Sequence, residues 1–129
     1  MTNDGLISGI SSSNYGIGLQ SLSTIAKLTN NGLISGIQTN GNTGMGIYNN
    51  STITDLTNNG LILGSGPYSG TGILNLDGKS IENVINKGLI SALGSGSRDN
   101  TKGINNGGVI TKVDNAGVIY GDGYAISNG

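Results

Sequence analysis

The side chains able to do chemistry are few and scattered. Seven acids and six bases are spread over 129 residues, and neither His nor Cys occurs. That removes thiol nucleophiles, imidazole bases, zinc clusters, haem ligands and disulfides. Carboxylate acid–base catalysis needs two acids held close together. Asp55 and Asp114 instead occupy different positions of a repeating unit, Glu82 is the sole Glu and Arg98 the sole Arg, so no enzyme is expected. The Gly121 to Tyr124 segment lacks an accompanying GGxGxD run and reads as a plain turn, so no metal or cofactor is expected. Thr52 and Thr54 could begin an ice-binding face, but Thr24, Ser80 and Val109 at the positions equivalent to Thr52 do not sustain a threonine ladder. Gly16, Gly18, Gly64 and Gly66 read as connector glycines, because neither pair is followed by the Lys or helix of a phosphate loop. Tyr15, Tyr48, Tyr68, Tyr120 and Tyr124 read as scattered surface residues that could touch a ligand.

A formal net charge of −1 offers no electrostatic footprint for nucleic acid or an anionic membrane. No run approaches the roughly 18 apolar residues of a membrane span. The first residues, MTNDGLISGI, show no basic stretch followed by a long apolar one, so no signal peptide is expected.

Glycine contributes 25 residues, Asn 18 and Ser 15, nearly half of the chain. Such a bias can mean disorder, because little apolar burial is left to offset ordering entropy. Here, however, the apolar residues recur at a fixed period. The word Asn-x-Gly-(Leu/Val)-Ile begins at Asn3, Asn30, Asn58, Asn86 and Asn115, with spacings of 27, 28, 28 and 29 residues. A period of that length marks a repeat array. A shorter pattern, apolar-x-Asn-x-(Gly/Ser)-x-Ile, occurs twice per period, with extra residues near Gly78 and Lys79 in one copy. A variable connector of Gly, Ser and Thr, which holds the sole proline, Pro67, then reads as a loop.

Aligned by phase, the chain forms columns. Apolar columns are Met1, Leu28, Leu56, Val84, Val113; Ile7, Ile34, Ile62, Ile90, Ile119; Leu19, Ile47, Ile73, Ile104, Ile126; and Ile25, Ile53, Ile81, Ile110. Asn columns run through Asn3, Asn30, Asn58, Asn86, Asn115 and through Asn49, Asn75, Asn106, Asn128, and a small-residue column through Gly18, Gly46, Gly72, Gly103, Ala125. A further column, Leu6, Leu33, Leu61, Leu89, Val118, neighbours the Ile7 column and either turns inward at a corner or forms an exposed stripe.

Helices are disfavoured by several Gly per unit, at about 1 kcal/mol each relative to Ala, and by the lack of an i, i+3, i+4, i+7 stripe. Short β-branched runs between Asn-Gly and Asn-Asn turns read as strands. Asn-Gly also suits hairpins, but constant repeat length and identical residues in register favour coils, in which like stacks on like about 4.8 Å apart. Asn fits by bonding its amide to the Asn above and below while taking a left-handed backbone at a corner. The expectation is one all-β domain over residues 1–129, a parallel β-solenoid of about four to five coils. Each coil takes roughly 28 residues, and no capping helix is present.

The stretches GIYNNSTITDLTNNGLI and GINNGGVITKVDNAGVI resemble the Gly/Asn-rich passenger repeats of bacterial autotransporters and related surface adhesins. The resemblance implies a parallel β-helix, export from a Gram-negative-type cell and a stalk or adhesive role. The chain departs from that family in having neither a signal peptide nor a C-terminal membrane barrel. Neither end carries a polar or helical cap, so the ends (Met1, Thr2, Asn3 and Ile126, Ser127, Asn128) are candidate assembly surfaces. Laid head to tail they nearly compose one further coil, which suits a filament of identical copies; a cut from a longer array is the other reading. The functional expectation is an extracellular or cell-surface stalk or fibre subunit that self-associates. The alternative is an adhesin segment whose connectors meet a host or glycan ligand.

Overall fold

A computed structural model describes residues 1–96 and 100–129; Arg98 lies outside the described residues. The chain is an all-β parallel solenoid, and no α-helix occurs among the described residues. Three strands make each coil. Strands β1 (Thr2–Asn3), β4 (Ile25–Asn30), β7 (Thr52–Asn58), β10 (Ser80–Asn86) and β13 (Val109–Asn115) stack as sheet A. Sheet B contains β2 (Leu6–Ser11), β5 (Leu33–Gln38), β8 (Leu61–Gly66), β11 (Leu89–Gly94) and β14 (Val118–Gly121). Sheet C contains β3 (Gly16–Ser21), β6 (Thr43–Asn49), β9 (Ser69–Asn75), β12 (Lys102–Asn106) and β15 (Tyr124–Asn128). Every strand pairs in parallel with its counterpart one coil away.

The register brings like residues together, as in Ile34 with Ile62, Ile62 with Ile90, Leu28 with Leu56 and Ile47 with Ile73. These side chains point inward and fill the space between the three sheets. Leu28, Leu56, Val84, Ile34, Ile62, Ile90, Ile47, Ile53, Ile73, Ile81 and Ile104 are at most 1% exposed. Each such Ile or Leu contributes on the order of 1.5–3 kcal/mol of burial. A single coil would expose both faces of its layer, so stability comes from stacking.

Three features depart from the sequence expectation. The connectors are not loops. In the first three coils they contain the second half of the B strand and the start of the C strand, leaving only short turns such as 39–42 and 67–68. At that B–C corner the inward column runs Gly9, Gly36, Gly64, Ala92, Gly121, glycine in every coil but the fourth, and where glycine stands the two sheets nearly touch. A Cβ on Gly36 would lie 1.8 Å from the Met45 carbonyl oxygen, and one on Gly64 would lie 1.9 Å from that of Thr71. Apolar alternation is missing there because a close approach of two backbones fills the space. Gly16, Gly18, Gly64 and Gly66, expected in connectors, thus belong to strands β3 and β8.

The second departure concerns asparagine. Among the described residues only Gly41 and Gly78 take positive φ, so no Asn adopts the left-handed backbone. The corner is held by the Asn side chain and needs no unusual backbone. Gly78, at φ 69°, marks the two-residue extension expected near Lys79.

The third is the last layer. Val113, expected in the core, is 37% exposed, Ile126 is 47% exposed and Ile119 is partly buried. All three sit in the correct columns, on Val84, Ile104 and Ile90, but no coil covers them. The column left open, Leu6, Leu33, Leu61, Leu89, Val118, faces outward. Leu6 is 67% exposed and Val118 55%, because their Ile neighbours in the same strands point in.

Candidate functional site

Two arrangements merit attention: the asparagine ladders that end at the open coils, and a groove on sheet C.

The first ladder lies at the A–B corner. Asn3 Nδ2 donates to Asn30 Oδ1 (2.8 Å), Asn30 to Asn58 (2.8 Å), Asn58 to Asn86 (2.8 Å) and Asn86 to Asn115 (2.7 Å). The second lies at the C–A corner, where Asn49 donates to Asn75 (2.7 Å), Asn75 to Asn106 (2.7 Å) and Asn106 to Asn128 (2.6 Å). Each amide also fastens its own corner. Asn58 Nδ2 reaches the Gly60 carbonyl across the turn (3.1 Å) and the Leu89 carbonyl in the next coil (3.1 Å). Asn30, Asn49, Asn58, Asn75 and Asn86 are fully buried, and no buried side-chain N or O among the described residues lacks a partner. Serine ends the second ladder, since Ser21 pairs with Asn49 in the sheet and donates to the Ser23 carbonyl (2.9 Å).

Both ladders are polar. Every inner amide donates toward the C-terminal coil, so the two ends of the stack differ chemically. At the N-terminal end, Asn3 Oδ1 accepts only the backbone N–H of its own Gly5 (3.3 Å) among the described residues. At the C-terminal end, Asn115 Nδ2 donates to its own Gly117 carbonyl (3.2 Å), where Asn58 donates to three groups. One end thus offers an amide oxygen and the other amide N–H groups. Around them Met1 (54%), Val113 (37%) and Ile126 (47%) are exposed apolar side chains.

The groove runs over the outer face of sheet C with a volume of about 510 Å³. Tyr15 enters from the turn before β3, Tyr68 from the turn before β9, and Tyr48 from within β6, with Leu74, Lys102 and Asn105 along the floor. Tyr15 and Tyr68 are 51% and 56% exposed. At the rim the hydroxyls of Thr43 and Ser69 share a hydrogen bond of 2.6 Å. Tyrosines that look scattered in the sequence therefore converge, because the turns of successive coils lie on one corner. Tyr120 stays apart and donates to Asp122, while Tyr124 pairs with Lys102 in the ladder. Because Tyr68 lies on a turn with most of its ring in water, Tyr68→Ala is expected to change stability by less than about 0.5 kcal/mol in a urea titration.

The other candidate groups stay separate. Asp55 accepts from Asn83 Nδ2 (2.8 Å) in the Lys27–Asp55–Asn83–Lys112 column, whereas Asp114 stands in the Thr29–Thr57–Ile85–Asp114 column. Among the described residues no three His, Cys, Asp or Glu side chains could hold one metal ion, and no helix is long and apolar enough to cross a membrane. The Thr52 column continues as Ser80 and Val109. Comparison with protein-family models, curated proteins and solved structures gives no significant match.

Proposed function

We propose that this solenoid is a structural element, an extracellular or cell-surface stalk or fibre segment whose coils stack head to tail with those of further copies. The matching register of its two open ends carries this reading. A second copy set with β1, β2 and β3 over β13, β14 and β15 extends all three parallel sheets. Its Asn3 then meets Asn115, its Ile7 meets Ile119, its Leu19 meets Ile126 and its Met1 meets Val113. In the first ladder Asn115 Nδ2 faces Asn3 Oδ1 of the next copy, and in the second Asn128 faces the Ser21 hydroxyl, so the contact joins unlike ends, is heterologous and grows without closing. Unpaired strand edges recruit further strands. The repeats' resemblance to autotransporter passengers supports the surface location.

Ile126→Lys tests the stacking. In one copy the half-exposed side chain leaves its ammonium in water, while between copies the charge would be buried against Leu19. Sedimentation velocity is expected to show large assemblies for the parent chain and single copies for Ile126→Lys, with the same β-type circular dichroism. Equal assembly of the two would refute the proposed contact.

A further inference from the structure

We propose that the groove on sheet C binds a short, neutral oligosaccharide. The floor is a sheet face, and its backbone N–H and C=O groups are already committed to neighbouring coils. An extended peptide would find no main-chain partners there, so recognition must come from side chains. Those side chains form a mixed apolar and polar lining. Tyr15, Tyr48 and Tyr68 supply aromatic rings of the kind that pack on sugar C–H surfaces, and the Asn105 amide and the Thr43–Ser69 hydroxyl pair supply donors and acceptors for sugar hydroxyls. Lys102 is the single charged side chain among the described lining residues, which does not suit a polyanionic chain. The lining passes from Tyr15 beside the first coil through Tyr48 and Leu74 to Asn105, stacked strands of one sheet, and so spans about 14 Å along the axis. That length selects a chain of sugars over a single ring, and the volume of about 510 Å³ falls within the usual range of ligand sites.

Repetition strengthens the case. The solenoid sets its variable turns on one corner, so changes of turn sequence alter the rim without disturbing the ladders. Tyr15 and Tyr68 both belong to such turns.

The chain has five Tyr and no Trp, and three of the five, Tyr15, Tyr48 and Tyr68, line the groove, so tyrosine emission is a usable signal for its occupancy. The probes are cellotetraose, maltotetraose and mannotetraose. At least one is expected to give a saturable emission change, and Tyr48→Ala and Tyr68→Ala each to weaken it about tenfold, the usual effect of truncating an aromatic anchor. Tyr120→Ala, away from the groove, is expected to leave binding unchanged. Circular dichroism separates lost binding from lost fold, and Tyr68→Ala, on an exposed turn, is the variant that keeps the fold. No saturable response to any of the three sugars, or undiminished affinity in folded Tyr68→Ala, would overturn the assignment. So would equal competition by an uncharged peptide such as tetraalanine acetylated at its N-terminus and amidated at its C-terminus.

Discussion

Ile62→Asp is expected to abolish the cooperative fold at 25 °C. Ile62 is fully buried and lies in the middle layer of sheet B, stacked on Ile34 and under Ile90. Its Cγ2 also occupies the space that a side chain at Gly46 would need, 2.7 Å from where that Cβ would sit. An aspartate there loses the burial of an aliphatic side chain and places a carboxylate among Ile and Leu with no cationic partner. The cost is about 4 kcal/mol or more, a large part of the 5–15 kcal/mol by which domains are stable. Because each coil supports two neighbours, a break in the middle layer leaves short stacks on either side that are unstable alone. Circular dichroism at 25 °C is expected to show the loss of the β signal; a variant melting within a few degrees of the parent would mean that Ile62 does not face the core.

Asn58→Leu is the second large effect. The branched shape and heavy-atom count are kept, but the amide at the centre of the first ladder disappears. Asn86 Oδ1 then loses its donor and the Gly60 and Leu89 carbonyls lose the amide that joined them, while Asn30 Nδ2 loses one acceptor and keeps the Gly32 and Leu61 carbonyls. At about 1–3 kcal/mol per orphaned group, the expected loss is about 2–5 kcal/mol in a urea titration. A double-mutant cycle makes the argument sharper. Once Asn58 is Leu, the Asn86 amide has already lost one partner, so Asn58→Leu with Asn86→Leu is expected to cost less than the sum of the single changes. Strict additivity would show that the amides act separately and that no ladder holds the corner.

The fold was largely legible in the sequence because in a parallel stack the register is itself a sequence pattern. Residues about 28 apart become neighbours, so Ile34, Ile62 and Ile90 declare their column by spacing alone. What failed was local. The B–C corner read as loop because its inward positions, Gly36, Gly44 and Gly64, show no apolar alternation, and a backbone approach leaves no side-chain signal. Asparagine was expected to turn its corners by a left-handed backbone, whereas the amide bridges carbonyls on both sides of the turn and the backbone stays ordinary. Val113 fits its column but stands in the outermost described layer, where it is covered on one side only. The direction of the Leu6 column follows only once its Ile neighbours are known to be inside. The groove was the least legible feature. Tyr15 and Tyr68 occupy no repeating position, and only the stacking of turns on one corner brings them beside Tyr48.

The central claim is that coils stack between copies as they stack within one. Electron microscopy of the purified chain, with diffraction from aligned fibres, tests it most directly. The account predicts unbranched fibres that give a reflection at about 4.8 Å along the axis and a subunit repeat near 24 Å, since each copy adds five strand layers to every sheet. Uniform single particles at high concentration, with no axial repeat, would contradict it.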